Sequence, residues 1–238
     1  MPPARAGCER AKLVNALAPW VDLTQPLYDG MPTPQYFPKA DFTIVFPLTD
    51  EKPQVTQFTL CTHMGTHVDA PSHFIRGGKS IDELPLCRFM LEGSVVAVEA
   101  QAGEAISLEM LEAAGAKPRR GDALLIATGW DRHWQDGHYY EHPYLADAVA
   151  TWLVERGVTL LGVDIMSPDL PIALRPKSGF GYPIHRTLLG NDVLIMENLF
   201  GLRPLAGQRI ELNALPLPVR AGDGAPARVV ARVLDKTQ

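Results

Sequence analysis

The sequence predicts a mixed α/β domain of barrel-like or layered architecture. Three observations carry this: eight apolar or β-branched runs of strand length, a few short segments with helical spacing, and no repeat, low-complexity tract or composition shift that would mark a linker. Apolar residues at 46% and charged residues at 21% of 238 exclude disorder and collagen-like structure. One domain over residues 1–238 is therefore expected, and a chain of this length buries roughly 70–75% of its unfolded surface.

In chain order, strands are expected at Phe42–Phe46, Val55–Thr62, Val95–Val98 and Ala123–Thr128, then at Leu160–Ile165, Val193–Met196, Arg209–Leu215 and Arg228–Leu234. Ser107 can cap a helix over Leu108–Ala114, where Leu108 and Leu111 share a face and Gly115 supplies the stop. Ala146–Arg156 brings Val149, Trp152 and Leu153 together and ends at Gly157. A third, short helix is expected from Pro183 to Gly190, with proline at its start. The 21 prolines, about 9% against a usual ~5%, gather at 24–53 and 168–183, where they predict long irregular loops of the kind that often bind ligands.

The 22 basic and 27 acidic residues leave a net charge of −5, and no basic stripe could track phosphates, so nucleic acid is excluded as a partner. No run approaches the roughly 20 apolar residues of a membrane span. The start, Met1 to Cys8, lacks the apolar core of a signal peptide, and a cytoplasmic protein is expected. Cys8, Cys61 and Cys87 form no C-x-x-C pair and are read as buried or idle thiols.

Chemistry concentrates in Thr62–Phe74, which holds His63, His67, Asp69 and His73 within eleven residues. In an extended chain, side chains alternate, so His63, Gly65, His67 and Asp69 share one face. His63 and His67 would then lie about 13 Å apart along a flat strand, so the chain must bend, and Gly65 is where it can. A helix would pair the two histidines but leave Asp69 off their face and run into Pro71. The pattern H-x-x-x-H-x-D points to a metal, since imidazole and carboxylate donors suit Zn or Mn. Glu197 ends a buried strand, where a carboxylate is costly unless paired or bound to a cation. It and His185 are the candidates to complete the coordination. His133, His138 and His142 lie in the loop Trp130–Tyr144 and are read as surface or pocket-rim residues without a catalytic role.

The stretch His63–Phe74 with Gly77-Gly78-Lys79-Ser80-Ile81, then Thr128-Gly129-Trp130, Gly162-Val163-Asp164-x-x-Ser167-x-Asp169, and His185 twelve residues before Glu197-Asn198-Leu199, resembles the cyclase family. That family includes bacterial kynurenine formamidases and isatin hydrolases. The similarity runs from about Trp20 to Asn213. It implies the family's swivelling β/β/α barrel-like domain and metal-dependent hydrolysis of an amide-type bond, as in an aryl formamide or a lactam. It also implies that His63, His67 and Asp69 hold metal, with His185 and Glu197 as the second cluster of two-metal members, and that His73 moves protons. A homodimer or homotetramer is implied as well. The tryptophan that formamidase members carry after the initial Met/Thr-Pro is absent. Here Met31-Pro32-Thr33 is followed by Pro34, with Tyr36 and Phe37 displaced by two or three positions. Tyr36, Phe37 and Phe74 are the expected aromatic wall for a small flat substrate.

The expected cofactor is one or two divalent ions, Zn(II) or Mn(II), which acidify water for attack on the amide carbonyl. No G-x-S-x-G, P-loop or G-x-G-x-x-G occurs, which disfavours serine hydrolases, NTPases and dinucleotide enzymes. Two rivals use the same residues. His67, Asp69 and His185 could form a two-His-one-carboxylate triad for an Fe(II) oxygenase, which leaves His63 without a job. A non-enzymatic metal-binding module would instead close the coordination sphere with protein ligands alone.

Overall fold

The computed structural model describes residues 19–234; the reading of Cys8 and of the chain start lies outside the described residues. In order, the elements are β1 (Val21–Asp22), β2 (Asp41–Phe46), β3 (Val55–Thr59), β4 (His67–Asp69) and β5 (Met90–Ala97). They continue with β6 (Ala105–Ile106), α1 (Leu108–Ala113), β7 (Ala123–Ala127), β8 (Tyr144–Leu145), α2 (Asp147–Arg156) and β9 (Leu160–Val163). The last are α3 (Pro183–Gly190), β10 (Leu194–Glu197), β11 (Arg209–Pro216) and β12 (Gly224–Val233).

The main sheet runs β1-β12-β11-β5-β7-β9-β10-β4, and a further pairing of β4 with β12 closes seven of these strands into a barrel. β5, β7, β9 and β10 are parallel neighbours, so each step between them needs a crossover, and the helices α1, α2 and α3 supply them. β11, β12 and β4 close the circle with antiparallel pairings. Alternation sorts the strand side chains: Ala123, Leu125 and Ala127 of β7 join the cluster inside the barrel. Leu124 and Ile126 join a second cluster outside it, with Leu111, Trp152 and Leu188 from the helices. A strand buried on both faces reads as an unbroken apolar run, which is why β7, β9 and β10 are visible in the sequence.

Several expected boundaries are corrected. β5 begins at Met90 and β12 at Gly224, earlier than the apolar runs suggest, because Glu92, Gly93 and Ser94 in one and Gly224 and Pro226 in the other weaken the strand signal. β3 stops at Thr59 and β9 at Val163, not at Thr62 and Ile165. Beyond β9 the backbone turns because the buried Asp164 side chain takes the backbone N–H groups of Thr128 and Gly129 at 2.9 and 2.7 Å and the Thr128 hydroxyl at 2.6 Å. The helices form as expected. Ser107 Oγ accepts from Met110 N, and Gly157 closes α2 with φ at 72°. β2 and β3 form a separate hairpin whose Ile44, Phe46 and Phe58 are exposed.

Candidate metal centre

Alternation places the site on the barrel's outer wall. In β4, Val68 points into the barrel core, so His67 and Asp69 point outward; in β10, Met196 points inward and Glu197 outward. The antiparallel register sets Glu197 opposite His67 and Ile195 opposite Asp69. Ahead of β4 the chain kinks at Gly65, whose φ is +64°, as the spacing requires. The kink is held by its own carbonyl. Gly65 O accepts His67 Nδ1 at 2.9 Å and Asn198 Nδ2 at 2.8 Å, and the Tyr139 hydroxyl donates to Asn198 Oδ1 at 2.7 Å. The kink carries His63 back over β4, so His63 Nδ1 lies 2.7 Å and His67 Nε2 3.2 Å from Asp69 Oδ1.

The third imidazole facing Asp69 arrives on α3. Asp169, ahead of the helix, accepts the backbone N–H groups of Ile184 and His185 at 3.1 and 3.2 Å. Its Oδ2 also meets His185 Nδ1 at 2.5 Å, which fixes the ring and directs Nε2 inward. That nitrogen stands 3.3 Å from Asp69 Oδ2 and 3.2 Å from Glu197 Oε1, while Glu197 Oε2 is 3.3 Å from His67 Nε2. Two overlapping groups of ligand atoms result: His67, Asp69 and Glu197, and His63, Asp69 and His73. Asp69 belongs to both.

Burial makes these charges interdependent. Desolvation opposes the charged form of His67, but the Asp69 and Glu197 carboxylates beside it prevail and push it up to about 10. Desolvation likewise opposes charge on His63 and His185; Asp69 and Asp223 raise the first, and Asp169, Asp69 and Glu197 raise the second. Asp69 is itself held well below the carboxylate range: burial alone would raise it, and His63, His185 and His67 overcome that. His67 Nε2, Asp69 Oδ2 and Glu197 Oε1 are nonetheless buried without a hydrogen-bond partner. Three orphaned donor atoms converging from two strands are what a divalent cation satisfies, and imidazole with carboxylate is a donor set such ions accept. The residues fit a divalent metal.

The cluster opens into a cavity of about 270 Å³, whose wall includes His73, Phe74, Tyr36, Phe37 and Tyr182. The structure thus brings every expected site residue to one place. His73 stacks on His63 with centroids 3.7 Å apart. Of the three histidines expected at the surface or on the pocket rim, His142 lies on the cavity wall and is buried there, with Nδ1 on Pro143 O, and burial lowers it to about 4. His133 and His138 stay away from the centre, paired with Asp136 and Glu141.

Sequence reasoning assigned no role to Asp223. Its Oδ2 lies 3.0 Å from His63 Nε2 and 3.3 Å from His73 Nδ1, and its Oδ1 accepts from Thr62 Oγ1 at 2.8 Å. Hydrogen bonds from His63 and His73 hold its carboxyl far below the usual range. Gly224 was also missed. It lies in β12 opposite Asp69 of β4, and a Cβ there would come within 2.7 Å of His63 Cε1 and of Val68 O.

A closed α/β barrel with this donor set on its outer wall defines a divalent-metal protein whose centre is reached through an aromatic cavity. The chain belongs to the cyclase family, whose model matches residues 21–170. It is 36% identical over 177 residues to a kynurenine formamidase of Salinibacter ruber, covering 73% of this chain and 77% of that one. A solved structure described as a potential metal-dependent hydrolase with cyclase activity shares 25% identity at a TM-score of 0.74, covering 91% of this chain and 98% of that one. Isatin hydrolase A of Ralstonia solanacearum shares 25% identity at a TM-score of 0.77, covering 91% and 92%.

Replacing Gly224 by alanine should push His63 off Asp69 and weaken metal binding roughly 10–100-fold, the size of effect seen when a ligand loses its support. Competition with a chromogenic chelator measures this, and unchanged affinity would show that His63 tolerates the displacement.

Proposed function

We propose that this protein hydrolyses small aromatic formamides or cyclic amides, using Zn(II) or Mn(II) held by His63, His67, Asp69, His185 and Glu197, with Asp69 shared between two ions. It is a metal-dependent hydrolase acting on C–N bonds. The convergence of orphaned His67 Nε2, Asp69 Oδ2 and Glu197 Oε1 at the floor of the aromatic cavity carries the reading. Relatives named for formamide and isatin hydrolysis support the substrate class. When bound, the metal supplies Lewis acidity toward the amide carbonyl and acidifies water.

The chain's own residues do the rest. Tyr36, Phe37 and Phe74 offer apolar faces to a flat ligand and exclude water from the scissile bond. Asp169 and the Gly65 carbonyl engage the Nδ1 atoms of His185 and His67, which presents Nε2 of each ring to the centre. His73 lines the cavity with Nδ1 directed at Asp223. Its Nε2 then collects a proton and delivers it to the departing nitrogen.

A homodimer or homotetramer in the cytoplasm is part of the same reading. Apolar residues exposed on the β2–β3 hairpin support the first, and the free thiols Cys61 and Cys87 fit a reducing compartment. The oxygenase alternative needs two histidines and one carboxylate, whereas Glu197 adds a second carboxylate and His63 also contacts Asp69. A purely structural metal module does not explain a cavity opening onto the donors.

Metal analysis coupled to a screen of N-formylkynurenine, formanilide, isatin, lactones and imides tests the reading. Activity should vanish with chelator, return with Zn(II) or Mn(II), and be absent in Asp69→Ala together with most bound metal. Full turnover by metal-free protein would end it.

Metal uptake should also release protons. The imidazoles are held protonated by their carboxylates, His67 up to about 10, and only neutral rings ligate. Affinity therefore falls as pH falls, and at pH 7.5 calorimetry in buffers of different ionisation enthalpy should count more than one proton released per metal-loaded chain. A count of zero would contradict the assigned ligands.

His73→Ala should lower kcat by roughly 10²–10⁴-fold with metal content intact. Recovery of activity on adding metal alone would mean that His73 supports a ligand and does not carry a proton.

A further inference from the structure

The proline-rich segment 168–183 shapes one side of the cavity and places a guanidinium there. Arg175 lines the same cavity as His73, His185 and Glu197. It is clamped in place: Nε donates to Leu170 O at 2.7 Å and an Nη to the Tyr182 hydroxyl at 3.2 Å. Its carbon lies 4.7 Å from the Phe180 ring centroid and 4.8 Å from that of Tyr182. Tyr182 is in turn fixed at φ 50°, ψ 60° immediately before α3, a left-handed conformation that costs a bulky residue energy and persists where surrounding structure enforces it.

The arrangement is that of an anion receptor. Arg88, Arg203, Arg209, Arg228 and Arg232 each pair with a carboxylate. Among the described residues, Arg175 pairs with none, although it is partly buried. Nε and one Nη are engaged by Leu170 O and the Tyr182 hydroxyl, and the Tyr36 hydroxyl stands beside the guanidinium; the rest of its five N–H groups are left for a ligand. The acid on the cavity wall is Glu197, which is engaged with His67 and His185. The wall therefore offers a guanidinium to a carboxylate, while the acid that lines it is already taken up by imidazoles.

Ring distances limit how far from the metal centre that carboxylate can sit. The Tyr182 ring stands beside the guanidinium, and its centroid is 6.3 Å from that of His185. The guanidinium therefore lies within about 11 Å of the His185 ring, a span that one aromatic amide can bridge.

Resting on the hydrolase reading above, we infer that Arg175 is a specificity-determining carboxylate receptor. The preferred substrates are aromatic amides with an anionic group across the ring from the scissile bond and no ammonium group. A charge-assisted fork to a carboxylate is worth roughly a tenfold to hundredfold preference.

The test uses zinc-loaded protein and two probes of one shape, 3-formamidobenzoate and 3-formamidobenzamide. The wild type should favour the acid in kcat/KM, and Arg175→Gln should collapse that ratio by roughly 10–100-fold. Arg175→Lys, which keeps the charge without the fork, should retain an intermediate ratio, as a merely structural role would not. The same ratio in all three proteins would overturn the inference and indicate that the metal itself takes the carboxylate. Calorimetric binding of 3-formamidobenzoate separates the receptor from the chemistry. Binding at least tenfold weaker in Arg175→Gln supports the receptor even if neither probe is cleaved, a result that would count against the hydrolase reading alone; equal affinity refutes the receptor. N-formylkynurenine, a zwitterion, should be turned over less efficiently than 3-formamidobenzoate, and the reverse order would refute the exclusion of an ammonium group.

Discussion

Asp69 is the group on which the site depends. It has no solvent exposure, and its two oxygens face three imidazoles, from His63, His67 and His185. A carboxylate so buried can stay ionised only if positive charge surrounds it. The kink at Gly65, the pairing of β4 with β10 and the anchoring of α3 by Asp169 all bring that charge to it. Removing one member of such a buried group typically costs about 3–5 kcal/mol, because the charges left behind have neither partner nor water. The arrangement is therefore held together by the same groups that reach for a cation.

Around this centre the imidazoles are supported unequally. His67 and His185 each have Nδ1 engaged by a fixed oxygen, a backbone carbonyl in one case and Asp169 in the other. His63 is different: carboxylates face both of its nitrogens, Asp69 on one side and Asp223 on the other. Asp223 is also the partner of His73. It thereby links a residue assigned to metal to the residue assigned to the proton, and because it lies at the margin of the site with 44% side-chain exposure, it connects the buried cluster with solvent.

Much of this is legible in the sequence alone. The segment His63 to His73 announces itself by density of donors, and Glu197 by a charge at the end of an apolar run. The central parallel strands are legible because burial on both faces leaves uninterrupted apolar stretches. Other features were hidden for physical reasons. β12 contains Gly224 and Pro226, residues that usually argue against a strand, yet the glycine makes room for His63. Asp223 is one acid in a loop, with nothing in its neighbours to mark it. His142 sits in a polar stretch that looks solvated, and only the fold shows it buried against the cavity. Arg175 resembles any surface arginine until the rings of Phe180 and Tyr182 are found packed beside it.

The closed barrel divides labour between its wall and its loops. Four of the five residues assigned to metal lie on or beside β4 and β10, and the fifth on α3, whereas the cavity-lining side chains Tyr36, Phe37, Arg175 and Tyr182 come from connecting segments. Loops tolerate insertion and exchange far better than paired strands do. In an evolving lineage, the segments around 34–37 and 168–182 can be rewritten while the catalytic chemistry stays fixed, so a single barrel can be redirected among amide substrates by changes that never touch a strand.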